Sequence, residues 1–290
     1  EENHLRWDSL GILFDPGEGT QRQLLLAGVA ATQITHIAIT HFHGDHCLGL
    51  AAMLQRISLD KVPHPVEVFF PASGQVYFER LRYSAIYNER ATIVPRPITR
   101  PSGDSDGSPP FLLADLGEAR LYARPLNHRC ECFGYRLEEP DGRRMLPERL
   151  AAAGIAGPLV RELIERGELS HQGKTVRLED VSEPRPGQVF ALVMDTRVCT
   201  GARTLARGAD LLVSESTFLS SEAEEAESYA HLTASQAATL AREAGAKKLV
   251  LTHFSQRYTS TEGFLAEARP IFPDVVAAAD FSRVAVPPRS

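Results

Sequence analysis

HFHGDH, residues 41–46, packs three imidazoles and a carboxylate into six positions. It follows IAIT, residues 37–40, an apolar, β-branched run that reads as a buried strand. His41, His43, Asp45 and His46 therefore leave the carboxyl end of that strand together. Imidazole and carboxylate suit zinc, and Gly44 permits a tight bend between the pairs. One ion cannot readily use all four groups, because His41 and His43 point one way and, past the bend, Asp45 and His46 point another. Two adjacent ions can. The plain alternative, a chance cluster on a solvated loop, is disfavoured by the spacing.

Metal-type residues recur in the same setting. Residues 120–126 read as a strand followed by Asn127 and His128; residues 189–194 read as a fully buried strand ending at Asp195; residues 248–252 deliver His253. Singly, each has a bland alternative: a hydrogen-bonded core histidine, or an aspartate capping a turn. Taken with HFHGDH they complete two sites. His41, His43 and His128 would serve one ion, Asp45, His46 and His253 the other, and Asp195 would bridge them.

Composition frames that reading. The chain of 290 residues, 43% hydrophobic and 23% charged, has the content of an ordinary soluble globular protein. No apolar run approaches the roughly 20 residues of a membrane span, and no basic segment precedes an apolar one at the start, so a cytoplasmic protein is expected. Cys47, Cys130, Cys132 and Cys199 lack the paired spacing of a structural zinc site and are expected to be reduced. Core packing accounts for them; a ligand role for Cys130 or Cys132, close to His128, is the other reading. A net charge of −6 argues against indiscriminate nucleic-acid binding without excluding a local basic patch. The acidic run 222–227 reads as a solvated helix face, and residues 96–110, rich in Pro, Gly, Ser and Asp, as a flexible surface loop.

AHLTASQAATLAREAG, residues 230–245, contains a T-x-x-Q capping box at Thr233 and Gln236, so a helix should start there and stop at Gly245. His231 then sits just before a helix amino terminus, a position that favours an anion such as phosphate. A histidine that merely caps the turn is the alternative.

These segments together resemble the metallo-β-lactamase superfamily and, within it, the ribonuclease Z family, endonucleases that remove the 3′ trailer from precursor tRNA. FDPGEGTQRQ at residues 14–23 is similar to that family's acidic-glycine motif; NHRCECFGY at 127–135, MDTR at 194–197 and THFSQRY at 252–258 are similar to its later segments, in the same order. The likeness runs from Phe14 to about Pro287. Two departures stand out: Met194 where many relatives have glycine, and a start that reaches Asn3, His4 and Leu5 at once. Relatives open with a strand and a G-T-x-x-x-x-P loop, whose loss would remove an edge strand and one wall of the site.

The resemblance implies an α/β fold, an αββα sandwich of two facing mixed sheets with helices on both outer faces, forming one domain over 1–290. It implies two zinc ions per chain bridged by Asp195, other divalent metals also being suited, with Asp15 and Glu215 supporting the ligands from behind. Asp45 would orient or deprotonate the attacking water, and His231 would assist the leaving group. The partner would be precursor tRNA, and the chain a homodimer. Residues 137–188, which break the strand rhythm with LPERLAAAG and IAGPLVRELIERG, resemble the family's tRNA-clasping arm, where Arg143, Arg144, Arg161, Arg166 and Lys174 could meet phosphates. Interleaved glutamates leave a packing or dimerisation insertion as the other reading. Other binuclear hydrolases of the superfamily, small phosphodiesterases or thioesterases, compete with this function. Di-iron redox relatives usually carry a carboxylate where this chain has His43. A non-catalytic tRNA binder is a third possibility, which metal analysis would decide.

Overall fold

The computed structural model describes residues 3–289; Glu1, Glu2 and Ser290 lie outside them. Within residues 3–138, β1 (Asn3–Trp7), β2 (Leu10–Phe14), β3 (His36–Ala38), β4 (Val66–Pro71) and β5 (Ile93–Ile98) lie side by side in that order. The β1–β2 pair is antiparallel and the rest are parallel. Asn3–Trp7, unassigned in the sequence reading, thus forms one edge of this sheet. Between the strands run α1 (Thr20–Leu26), α2 (Gly44–Cys47), α3 (Leu50–Leu59) and α4 (Gln75–Arg82). A second sheet begins with the meander β6 (Phe111–Asp115), β7 (Arg120–Pro125) and β8 (Phe133–Glu138).

Residues 139–188 form a compact unit of their own. Its elements are β9 (Gly142–Met145), α5 (Pro147–Ala152), α6 (Pro158–Arg166), the hairpin β10 (Glu168–His171) and β11 (Lys174–Arg177), and β12 (Ser182–Arg185), which pairs with β9. Leu150, Ile155, Leu163, Leu169, Val176 and Val181 make its core. Leu137 and Glu138 still belong to β8.

The second sheet resumes with β13 (Val189–Val193), β14 (Leu211–Glu215), β15 (Lys248–Thr252) and β16 (Val275–Ala277), all parallel, and β13 joins β8 antiparallel. Alongside run α7 (Thr200–Ala206), α8 (Ala223–Tyr229), α9 (Ala234–Ala244) and α10 (Glu262–Ala268). The capping box at Thr233 and Gln236 is formed, and Gly245 closes α9 in the left-handed region at φ 68°.

Side-chain alternation explains the layering, because successive strand residues face opposite sides. Ile12 and Phe14, with Phe190 and Leu192, fill a core between the two sheets. Their neighbour Leu13 packs outward with Met53, Leu54, Ile57 and Phe78 of α3 and α4. Ala191 and Val193 pack outward with residues of α7, α9 and α10. The result is an αββα sandwich whose parallel strands are covered on both faces, which is why they read as unbroken apolar runs.

Two local findings revise the sequence reading. Gly44 opens α2 and is not among the residues of positive φ; what limits a side chain there is Leu48 Cδ1, 3.0 Å from a built Cβ. The stretch 96–110 is partly strand, and its loop is pinned: buried Arg124 donates to Asp104 Oδ1 and to the Ser105 carbonyl. No helix among the described residues is long and apolar enough to cross a membrane.

Candidate metal centre

The carboxyl ends of β2, β3, β13, β14 and β15 meet at one edge, the usual place for chemistry on parallel strands. Asp15, Asp195 and His253 each follow such a strand with left-handed backbone, at φ 48°, 34° and 58°. Asp and His tolerate this region better than most residues, but it still costs of order 1–3 kcal/mol each. Strain of this kind persists where the surroundings over-determine it. Close backbone approach adds to the constraint. A Cβ on Gly49 would lie 1.9 Å from the Gly17 carbonyl oxygen, and one on Gly74 would lie 2.0 Å from the Phe42 ring. Those two glycines let the Asp15 loop and the HFHGDH turn seat against their neighbours.

Most rings at the centre are tethered by Nδ1 and turn Nε2 inward. His41 Nδ1 donates to Thr40 Oγ1 at 3.0 Å, and that hydroxyl donates on to Asp15 Oδ2 at 2.8 Å. His46 Nδ1 donates directly to Asp15 Oδ2 at 3.0 Å. His128 Nδ1 donates to the Ala230 carbonyl at 3.1 Å. His253 Nδ1 donates to Thr217 Oγ1 at 2.8 Å, and Thr217 donates on to Glu215 Oε2 at 2.7 Å. His43 is reversed: its Nδ1 faces His41 Nε2 at 2.9 Å and His128 Nε2 at 3.3 Å.

The inward atoms form two groups. Asp195 Oδ2 stands 3.5 Å from His41 Nε2 and 3.7 Å from His128 Nε2. Its other oxygen, Oδ1, lies 3.4 Å from His46 Nε2 and 3.3 Å from His253 Nε2. Asp45 Oδ2 lies 3.4 Å from His46 Nε2 and 3.5 Å from His253 Nε2, and those two nitrogens are 3.2 Å apart. Ligand atoms held about 2.0–2.1 Å from a tetrahedral ion stand about 3.3 Å from one another, so these spacings suit the ligand shell of a divalent metal. Asp195 Oδ1 is buried and has no hydrogen-bond partner among the described residues. A buried carboxylate oxygen in that condition fits a cation.

The electrostatics divides the rings, leaving His41 and His128 neutral and ready to ligate while the carboxylates around His46 favour its protonated form, a proton that a cation would have to displace. Burial pushes the His41 ring down to about 2, so it stays neutral with its lone pair available, and burial also lowers His128. For His46, burial acts downward, but Asp195 and Asp15 reverse it and hold the ring well above its ordinary value. Burial would raise Asp195, yet His253, His46 and His41 bring it well below the usual carboxylate range. Hydrogen bonds with His253 and His46 keep Asp45 ionised.

His231 stands beside this constellation. Its Nδ1 donates to Glu215 Oε1 at 3.1 Å, and a ring nitrogen lies within 4.8 Å of ligand-type atoms of Asp195 and His253. Glu215, fully buried, also accepts from the amides of Thr196 at 2.7 Å and Leu232 at 3.1 Å. Asp15 accepts from the Thr40 amide at 2.7 Å.

Thr40 and Thr217 were missed by sequence reasoning. Thr40 had a signal, its place directly before His41, whereas Thr217 had none that spacing could reveal. Of the two cysteines near His128, Cys132 is buried against the Met194 carbonyl, while Cys130 Sγ reaches 3.9 Å from His43 Nε2. Burial raises both thiols. The basic residues of 139–188 are engaged within that unit: Arg143 donates to Ser182 Oγ at 2.7 Å, and Arg144, Arg161 and Arg166 pair with Glu183, Glu165 and Glu162. Lys174 is exposed.

Comparison with known proteins agrees with this geometry. A family model described as the metallo-beta-lactamase superfamily matches residues 8–121. Ribonuclease Z of Nocardia farcinica is 53% identical over 100% of this chain and 94% of its own length. Ribonuclease Z of Salinispora arenicola is 55% identical over 98% of this chain and 90% of its own length. Among solved structures, human tRNase Z, short form, matches with TM-score 0.70 at 26% identity, covering 99% of this chain and 92% of that one.

Proposed function

The chain belongs to the ribonuclease Z family of the metallo-β-lactamase superfamily, and from that premise we propose that it is the endoribonuclease that cuts precursor tRNA after the acceptor stem. The cut leaves a 3′ hydroxyl on the tRNA and a 5′ phosphate on the trailer. The observation that carries the reading is the divided carboxylate of Asp195, one oxygen turned to His41 and His128 and the other to His46 and His253.

His41, His43, His128 and Asp195 would hold one ion, and Asp45, His46, His253 and Asp195 the other; zinc suits this donor set best, and other divalent metals also fit. Bound there, a pair of ions supplies an acidified water and charge stabilisation at the phosphoryl oxygens. Asp45, kept ionised, takes the proton of the attacking water. His231 delivers a proton to the departing 3′ oxygen, and Glu215 behind it stabilises the charged ring. Asp15, Thr40 and Thr217 fix the tautomers of His46, His41 and His253 by holding their Nδ1–H groups.

Residues 139–188 take the tRNA body through phosphates, using Arg143, Arg144, Arg161, Arg166 and Lys174. Arg144, Arg161 and Arg166 support this by their exposure of 65%, 84% and 67%. The active form is a cytoplasmic homodimer, which sedimentation or light scattering tests. The function itself is tested by incubating the metal-loaded protein with a precursor tRNA and mapping both new ends. A trailer with a 5′ hydroxyl, or an intact precursor beside hydrolysed small phosphodiesters, would contradict it.

A further inference from the structure

Next to His231 a stack of side chains serves no purpose in the ligand set. Phe218 is buried, with its ring 6.1 Å from the His231 ring and 6.4 Å from the Tyr229 ring, the latter nearly parallel at 19°. The Arg257 guanidinium lies over Phe218 at 4.9 Å. The backbone holds these parts tightly. Phe218 N donates to the Leu232 carbonyl at 3.2 Å, and Ala234 N donates to the Phe218 carbonyl at 2.9 Å. Ala230, between Tyr229 and His231, is left-handed at φ 63°, and its carbonyl is the anchor of His128. Beside Arg257, Tyr258 accepts from the Leu219 amide at 3.0 Å and donates to Glu222 at 2.6 Å.

Tyr229 is 49% exposed and Arg257 is exposed. Among the described residues no carboxylate oxygen lies within 4.0 Å of the Arg257 guanidinium; Glu222 is near enough to feel its charge but accepts from the Tyr258 hydroxyl. A guanidinium laid flat on an aromatic ring loses little freedom when it binds phosphate, and an exposed aromatic ring is a stacking surface for an unpaired base. Both groups sit within one ring of the histidine that faces the leaving oxygen.

We propose that Arg257 and Tyr229 hold the nucleotide on the 5′ side of the cut, Arg257 through phosphate and Tyr229 by stacking on the base. This rests on the role given above to His231, because the departing 3′ oxygen belongs to that nucleotide.

The test compares Arg257→Ala, Arg257→Lys, Tyr229→Ala and Tyr229→Phe on precursor tRNA and on a nitrophenyl phosphodiester, with metal content measured throughout. Arg257→Ala should raise KM for the precursor about tenfold and lower the salt slope by about one, with Arg257→Lys in between. Tyr229→Ala should cost about tenfold or more on the precursor, and Tyr229→Phe should restore it. Losses on the small substrate should be far smaller, at unchanged metal content. An abasic nucleotide placed 5′ of the cut should bring the wild-type protein to the Tyr229→Ala level and leave that variant unchanged; one placed 3′ of the cut should not. Equal losses on both substrates, loss of metal, or unaffected cleavage of the precursor would each overturn the proposal. Wild-type protein that leaves the precursor intact overturns the functional reading and this inference with it, whereas wild-type cleavage with unaffected variants overturns the inference alone.

Discussion

The metal centre and the unit at residues 139–188 are both rich in charge and use it in opposite ways. At the centre His41, His46 and Asp195 are buried, the rings of His41, His46, His128 and His253 are each held through Nδ1, and Asp195 Oδ1 has no hydrogen-bond partner among the described residues. In the other unit, Arg161 pairs with Glu165 and Arg166 with Glu162 on the exposed face of one helix. Exposed pairs of that kind contribute about 0.3–0.5 kcal/mol and exchange partners readily, so they are free to be given up to phosphate. A buried carboxylate oxygen without a hydrogen-bond partner, ringed by imidazole nitrogens, fits a site that binds a cation. Under the proposed function, the contrast would separate residues that do chemistry from residues that meet a large polyanion.

Mutations at the centre should be severe and specific. Asp195→Ala removes the carboxylate proposed to be shared by two ions and should lower precursor cleavage by about three orders of magnitude or more, with circular dichroism unchanged. Retained turnover would show that the halves of the centre act separately. His231→Ala should lower kcat by about 10²–10⁴-fold without loss of metal, and should cost less on a nitrophenyl phosphodiester, whose leaving group needs little protonation. Thr217→Val breaks the link from Glu215 to His253 at nearly constant volume and should weaken metal binding by about 10–100-fold, read by chelator competition.

Changes in the exposed unit should be milder and confined to RNA. Replacing residues 139–188 with a short glycine-serine linker should weaken precursor binding about tenfold and flatten its salt dependence, while small phosphodiesters are cleaved nearly as before. Loss of both activities in a folded protein would mean that this unit supports the centre. Smallest of all, Arg161→Ala should shift unfolding free energy by no more than about 0.5 kcal/mol.

The same contrast governs how far the sequence could be read. HFHGDH, Asn127–His128, Asp195 and His253 all follow apolar strand runs, so strand periodicity alone places them at strand ends. The capping box and Gly245 bound α9 within a residue. What escaped depends on geometry that local patterns do not encode. Thr217 matters because left-handed backbone at His253 brings the ring onto its hydroxyl. Arg124 looked like a strand residue, and only its burial against Asp104 shows why the neighbouring loop is pinned. Residues 139–188 carry balanced charge, so neither periodicity nor net charge could distinguish an RNA-binding arm from a packing insertion; their resemblance to a known family carried that expectation.

The most direct test of the central claim is the metal content of protein purified without added metal, measured together with its cleavage rate. Two ligand groups sharing Asp195 predict about two ions per chain, with cleavage rising as the second is filled. Full activity with one ion per chain would contradict the bridged pair.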